Sequence, residues 1–313
     1  MNQSRSPSRT PARFADWLGL IRFSHTIFAL PFAALATVLA MTSPLSSGST
    51  PAFRLRDILG ILFCMVFARS AAMAFNRLVD QAIDAKNPRT AGRHLPAGIL
   101  GRGQVWFFTL LCAAGFVGST LLFLPNRAPL IASIPVLLFL CGYSLAKRFT
   151  SAAHLWLGVA LSLSPICVWL AIRGGEVLLH PADWICPLVL ASVVAAWVTG
   201  FDIIYACQDA DFDSQTGLFS VPARFGIEGA FRIARASHIV MLVLLAVLLW
   251  AGRPSGLGGL FGIACLVVAG LVWRQHTLVR PGDLDRVNQA FFDTNASISV
   301  LLLVAGTIDC LWL

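Results

Sequence analysis

Nine apolar runs, each close to the ~20 residues that a helix needs to cross a bilayer, divide this chain almost from end to end. They fall at about 21–43, 57–79, 104–124, 128–146, 153–172, 184–204, 232–252, 255–273 and 288–312. Short polar or Pro/Gly-containing connections separate them, such as Leu124-Pro125-Asn126-Arg127 and Gly252-Arg253-Pro254-Ser255-Gly256. The length of 313 residues would suit two soluble domains, but only 12% of the residues are charged and 57% are hydrophobic. Soluble domains carry about 25% charged residues. The expected fold is therefore an all-α membrane protein of nine transmembrane helices. Residues 1–20 read as an N-terminal tail and 21–313 as a single transmembrane domain. Met1 to Arg13 are polar and basic, and the run after Phe23 is long enough to span, so no cleaved signal peptide is expected.

The net charge of +8 is spread over several short loops. A nucleic-acid partner would call for a dense basic patch or arm, so none is expected. The distribution instead follows the positive-inside rule. Seventeen Lys and Arg residues fall on the side that holds the N-terminus, five on the other, and Arg69 lies inside the second span. This predicts a multi-pass protein of the cell inner membrane with a cytoplasmic N-terminus and an external C-terminus. The eight cysteines stand singly with no CxxC or metal spacing, and no disulfides are expected.

Two connections are longer than the rest, and each begins inside an acidic cluster: Asp80 to Gly103 and Tyr205 to Phe231. Asn76, Asp80 and Asp84 are four residues apart, as are Tyr205, Asp209 and Asp213. At 3.6 residues per turn this spacing places each trio on one helical stripe. The trios are offset by 129 residues and end spans 2 and 6, a faint internal repeat that would bring both stripes to a central cavity at one membrane face. Carboxylates near membrane depth are costly and mark function, and opposed carboxylate stripes suit Mg²⁺, which favours oxygen ligands and bridges to phosphates. Asp202 extends the second face, whereas Asp211 is half a turn away and reads as a loop or supporting group.

The basic residues near these stripes divide between solvated charges and anion ligands. Arg89 and Arg93, in the Pro/Gly-broken segment Asn87 to Gly98, and Lys147-Arg148, at the end of span 4, are candidates for binding a diphosphate. Arg69 lies seven residues before Asn76, so it shares the acidic stripe. It is expected to face the cavity, either pairing with an acid or receiving an anionic substrate. Arg22 begins span 1, where snorkelling competes with a substrate role. Asp293 and Asn295, near span 9, are candidates for lining the cavity or capping the helix.

The two stripes resemble the paired Asp-rich motifs of the UbiA superfamily of intramembrane prenyltransferases. The first motif, N-[DR]-x-x-D-x-x-x-D, is matched by Asn76, Arg77, Asp80 and Asp84. The second, D-x-x-Y-x-x-x-D-x-x-x-D, is matched by Asp202, Tyr205, Asp209 and Asp213. The resemblance covers nearly the whole chain, including the Leu95-Pro96-Ala97-Gly98 and Tyr143-to-Thr150 segments. Arg77 and the wording from Asn87 to Gly98 are most similar to the 4-hydroxybenzoate polyprenyltransferase branch. They are also similar to the enzymes that prenylate dihydroxynaphthoate in the futalosine route to menaquinone.

The resemblance implies Mg²⁺-dependent transfer of a polyprenyl group from polyprenyl diphosphate to a hydroxylated aromatic carboxylate in quinone biosynthesis. It implies catalytic roles for Asn76, Asp80, Tyr205 and Asp209, and metal binding by Asn76, Asp80, Asp84, Asp209 and Asp213. Diphosphate contacts would come from Arg89, Arg93, Lys147 and Arg148, and acceptor contacts from Arg22, Arg69 and Asp202. Membrane lipid would surround the chain and deliver the donor. Two rivals remain at this stage. A secondary transporter would also explain the repeat and the buried charges, although its ion site would lie near the midplane. A CDP-alcohol phosphotransferase would also be Asp-rich and Mg²⁺-dependent, but the DG-x-x-AR pattern expected of it is absent.

Overall fold

The computed structural model of the chain describes residues 13–21, 26–284 and 287–313. The helices are, in chain order, α1 (Phe14–Leu20), α2 (Thr26–Thr42), α3 (Leu55–Asp84), α4 (Arg102–Ser119), α5 (Ala128–Ala146) and α6 (Ala153–Leu179). They continue with α7 (Ile185–Ala206), α8 (Ala210–Gln215), α9 (Val221–Ala251), α10 (Gly259–Leu278), α11 (Val287–Gln289) and α12 (Asn295–Trp312). Among the described residues there is no strand beyond an isolated bridge between Arg280 and Asp283. Eight helical stretches are long and apolar enough to cross a bilayer, and α2, at 17 residues, is the shorter ninth. Helices suit this solvent because hydrocarbon offers no partner to an exposed peptide group.

The core sits around α7, which packs against α6 on one side and α9 on the other, while α2 packs against α6 and α12. Trp197 is fully buried there, with ring centroids 5.0 Å from both Phe32 and Phe201. Its indole N–H donates to Asn295 Oδ1 at 3.0 Å, which settles Asn295 in the core at the start of α12. Asp293 is exposed. Neither residue lines the cavities described below. The outward faces carry exposed Leu110, Ile131, Leu138, Val243, Leu266 and Trp273. In water such a shell would aggregate; in lipid it is the expected surface.

Several boundaries differ from the sequence reading, each for a visible reason. Helix α6 runs on to Leu179, past the expected end at 172, with Arg173 buried inside it. Its buried guanidinium donates to the carbonyls of Ala40, Ser43 and Pro44 at 3.2, 2.7 and 2.9 Å and to both oxygens of Asp183. Helix α9 begins at Val221, so much of the expected loop from 205 to 231 is helical. A break at Gly226 (φ +69°) reorients that first stretch, a conformation glycine adopts without steric cost. Helix α12 begins at Asn295 after a π-helical turn over Ala290–Thr294.

One close approach sets the position of the site. A Cβ on Gly158 of α6 would sit 2.5 Å from both the Ala195 carbonyl and the Thr199 hydroxyl of α7. With no side chain there, the antiparallel helices meet backbone to backbone, as small residues allow in membranes.

Candidate active site

A polar chamber of about 260 Å³ lies where the C-terminal ends of α3, α5 and α7 meet the loop from 85 to 101. Twelve of the thirteen residues to which the resemblance gives catalytic, metal, diphosphate or acceptor roles line it: Arg69, Asn76, Asp80, Asp84, Arg89, Arg93, Lys147, Arg148, Asp202, Tyr205, Asp209 and Asp213. Arg22 lies outside the described residues. Asp211 is exposed and does not line the chamber.

The first trio occupies one stripe of a single helix, α3. At 30 residues, α3 is about 45 Å long, longer than the ~30 Å hydrocarbon core of a bilayer. Asn76 Nδ2 donates to Asp80 Oδ2 at 2.8 Å. The second trio does not share one helix. Tyr205 ends α7, Asp209 closes a 3₁₀ turn over Cys207–Asp209, and Asp213 lies in α8. The expectation that the second trio shares one helical stripe is corrected here. The tighter 3₁₀ turn changes the winding between Tyr205 and Asp213, yet all three residues still line the chamber.

Every carboxylate in the chamber has a basic partner. Arg148 Nη2 donates to Asp80 Oδ1 at 3.2 Å and to the Val79 carbonyl at 2.8 Å. Arg93 Nη1 donates to Asp84 Oδ1 at 2.7 Å, and Lys147 Nζ to Asp213 Oδ2 at 3.3 Å. Arg89 engages both oxygens of Asp209, with Nε to Oδ1 at 2.8 Å, and its Nη1 reaches the Tyr205 hydroxyl at 3.2 Å. Burial works against the Arg89 charge, but the hydrogen bond and charge of Asp209 outweigh it, so the guanidinium is held protonated even more firmly than in water. Asp202 pairs with His154, Nδ1 to Oδ2 at 2.7 Å.

The geometry also brings in residues that sequence reasoning missed. Asn87, buried, donates to Asp209 Oδ1 at 3.1 Å while its own Oδ1 accepts the Arg89 backbone N–H at 2.9 Å. It therefore fixes both members of the Arg89–Asp209 pair. Its place beside Pro88 read only as a turn. Thr90 donates its hydroxyl to the Asp84 carbonyl at 3.0 Å, folding the loop back onto α3. His154, at the start of α6, lies in neither motif.

A second cavity, about 180 Å³, runs from the chamber into the membrane region. Ile61, Met65, Phe116, Phe123, Val136 and Leu140 are among its lining residues. The two cavities share Arg69, Met73, Asn76, Tyr143, Leu157 and Leu161 as lining, so they adjoin.

Among the described residues no three His, Cys, Asp or Glu side chains form a ready-made metal cage. The donor set nonetheless fits a hard divalent cation. Asn76, Asp80, Asp84, Asp209 and Asp213 offer oxygen only, and Asp84 Oδ2 is buried without a partner.

A bundle of apolar helices that holds ion-paired carboxylates at one end, beside an adjoining apolar cavity, defines an integral membrane protein with a polar site inside its helices. The chain belongs to the UbiA prenyltransferase family, whose pattern matches residues 29–300. It is 34% identical over 232 residues to the 4-hydroxybenzoate octaprenyltransferase of Nitrosomonas eutropha, covering 74% of this chain and 76% of that one. It is 28% identical to the 4-hydroxybenzoate octaprenyltransferase of Marinobacter nauticus over 97% of this chain and 98% of that one. The apo structure of a UbiA homolog from Aeropyrum pernix K1 superposes with a TM-score of 0.79 at 30% identity, covering 91% of this chain and 97% of its own. A homolog from Archaeoglobus fulgidus, solved bound to DMAPP and Mg²⁺, shares the fold at 17% identity and a TM-score of 0.67, covering 95% of this chain and 100% of its own. Membership in a prenyltransferase family sets aside the transporter and phosphotransferase alternatives.

Proposed function

We propose that this enzyme transfers a polyprenyl group from polyprenyl diphosphate to a hydroxylated aromatic carboxylate of the 4-hydroxybenzoate type, for quinone biosynthesis, with Mg²⁺ as cofactor. The relatives named 4-hydroxybenzoate octaprenyltransferase support the acceptor class. The observation that carries the reading is the junction of two unlike cavities. The polar chamber suits a diphosphate, and the adjoining apolar cavity suits an isoprenoid chain.

Charge supports the metal. The chamber is lined by five carboxylates, Asp80, Asp84, Asp202, Asp209 and Asp213, and six cations, Arg69, Arg77, Arg89, Arg93, Lys147 and Arg148. A diphosphate entering this nearly balanced set would leave excess negative charge, which a divalent cation offsets. Asn76, Asp80, Asp84, Asp209 and Asp213 would hold the cation. Bound there, Mg²⁺ would stabilise the departing diphosphate as a Lewis acid. Arg89, Arg93, Lys147 and Arg148 would turn from carboxylate to phosphate oxygens, and guanidinium forks suit both. The donor's C1–O bond then breaks with its electron pair leaving on the diphosphate, an electron-rich ring carbon captures the allylic cation, and loss of the proton on that carbon restores the aromatic ring. Tyr143 and the apolar cavity lining exclude water from that cation.

The polar end of the bundle is assigned to the cytoplasm of a bacterial inner membrane, from the Lys/Arg asymmetry. Residues 1–20 are assigned to a tail and 21–313 to one catalytic domain. The test is direct. Purified protein in nanodiscs receives radiolabelled polyprenyl diphosphate with 4-hydroxybenzoate or dihydroxynaphthoate, with and without a chelator. Prenylated 4-hydroxybenzoate that disappears on chelation is the expected result, and no prenylated product from either acceptor would sink the proposal.

A further inference from the structure

We infer that Arg224 and the exposed phenylalanines around it form a loading site, where the diphosphate head of a lipid-borne polyprenyl diphosphate is captured at the membrane rim before it enters the chamber. The inference rests on the proposed use of such a donor. A molecule with a long apolar tail reaches the protein from the leaflet, so its head must cross from the lipid surface to the chamber mouth.

Local structure puts a cation at that crossing. Ser220 caps α9, its hydroxyl accepting the Ala223 N–H at 3.3 Å, so Arg224 stands in the first turns of the helix. The Phe219 N–H donates to the Lys147 carbonyl at 2.7 Å, which lays the connection from α8 to α9 along the turn between α5 and α6. That turn carries Lys147 and Arg148, and both line the chamber. Arg224 reaches the other end of the same turn, where its Nη1 donates to the Ser151 hydroxyl at 3.2 Å. Arg224 itself does not line the chamber.

The same rim meets lipid. Ile131, Ile134, Leu138 and Leu145 recur along α5 at helical spacing and are exposed, the face that such a helix turns to hydrocarbon. Phe149 follows Leu145 by four residues and is 59% exposed. Phe219 and Phe225 are 46% and 51% exposed. The boundary between hydrocarbon and headgroups favours aromatic rings, which sit at headgroup level.

Charge identifies the occupant. Arg89, Arg93, Lys147 and Arg148 each hold a carboxylate. Among the described residues Arg224 makes no ion pair. Its guanidinium lies over the Phe225 ring, 5.3 Å from the centroid, and the nearest acid in the sequence, Glu228, lies beyond the break at Gly226. An exposed guanidinium in an apolar surround fits a phosphate head on a lipid tail. A bulk phospholipid shares that chemistry. The donor is favoured because Arg148 and Lys147, 39% and 32% exposed, continue the cationic path inward from the rim.

The experiment compares wild type, R224Q and R224K in phosphatidylcholine nanodiscs with Mg²⁺. Radiolabelled polyprenyl diphosphate is offered from the lipid without an acceptor, so binding is read apart from turnover. R224Q is expected to slow donor association by about 5-fold, the worth of one cation near a membrane surface, and to flatten its salt dependence. R224K keeps the charge and should restore most of the rate. Affinity for magnesium diphosphate added from solution should match wild type in both variants, which also shows that the chamber is intact. Unchanged association of R224Q overturns the assignment. A matching loss of affinity for magnesium diphosphate would place Arg224 in the chamber instead. A defect that emerges only when phosphatidylglycerol is added to the discs would make the rim a site for lipid headgroups, which also overturns it. Wild type that binds donor but forms no prenylated ring would overturn the proposed function alone, and wild type that binds no donor would overturn both.

Discussion

Arg89 engages Asp209 with two nitrogens at once, while Asn87 donates to the same carboxylate and receives the Arg89 backbone N–H. A loop residue and a residue 120 positions later are thereby locked across the chamber mouth. The same logic recurs at Arg93–Asp84, Lys147–Asp213 and Arg148–Asp80. A metal entering alone would have to part each carboxylate from its cation. A diphosphate entering alone would have to part each cation from its carboxylate. Entering together, they give every displaced group a new partner.

Mg²⁺ and diphosphate binding should therefore be mutually dependent. By calorimetry on the purified protein, inorganic diphosphate is expected to bind at least ~10-fold more tightly with Mg²⁺ than without, about 1.4 kcal/mol of coupling. R89A should bind Mg²⁺ alone more tightly than wild type, because Asp209 is freed, and should bind magnesium diphosphate more weakly. Independent binding of the two would show that the ion pairs do not exchange.

D80A and D209A should each lower kcat by ~100-fold or more, since even outer partners of a metal site are worth 10–100-fold. Folding should survive, because the partner cations Arg148 and Arg89 are 39% and 30% exposed and can regain water. Size-exclusion profiles and thermal unfolding of the detergent-solubilised variants check the second half. A variant that aggregates would contradict this account of the pair.

Much of this site was legible because four-residue spacing on a membrane helix is a strong signal. The stripe Asn76/Asp80/Asp84 reads directly onto α3. The second stripe was legible as a set of residues but not as a shape, since nothing local announces the 3₁₀ turn at Cys207–Asp209. Asn87 and His154 were missed because their importance comes from partners 122 and 48 residues away. The end of α6 was misplaced at 172 for a related reason. Arg173 is held inside the helix bundle by the distant carbonyls of Ala40, Ser43 and Pro44 and the carboxylate of Asp183, which nothing next to it in the chain announces.

Arg173 also supplies a stability prediction at the end of the bundle away from the chamber. Asp183 accepts from both Arg173 and the Trp169 indole N–H, at 2.9 Å for the latter. R173A strips the half-buried Asp183 carboxylate of its fully buried cation and leaves three carbonyls with one donor fewer. Breaking a buried pair in this way costs about 3–5 kcal/mol. Thermal unfolding should show a lowered Tm, while the KM for donor in the folded fraction stays near wild type. A large change in KM with unchanged Tm would contradict a purely structural role.

The proposed cytoplasmic placement of the chamber carries its own prediction. With α2, α3 to α7, α9, α10 and α12 as nine crossings, the chamber and the C-terminus face opposite sides. A reporter fused after Leu313 should be active only in its external or periplasmic form. Cytoplasmic activity would require an even number of crossings or an inverted protein.

The acceptor's carboxylate needs a cation that the diphosphate does not claim. Arg69 lines both cavities at their junction, and its Nε is buried without a partner. An unsatisfied buried donor is costly unless a ligand supplies the acceptor. Arg69 stands seven residues before Asn76, two turns deeper along α3, which separates it from Arg89, Arg93, Lys147 and Arg148 at the metal-binding end. R69A is therefore expected to raise the KM for the aromatic acceptor by ~10–100-fold, the worth of a charge-assisted hydrogen bond of about 1.5–3 kcal/mol. Donor KM should move far less. R22A, tested alongside, asks whether the cation at the start of the first span shares the task. If neither variant selectively raises acceptor KM in folded protein, the carboxylate is held elsewhere. If R69A instead raises donor KM alone, Arg69 belongs to the diphosphate end.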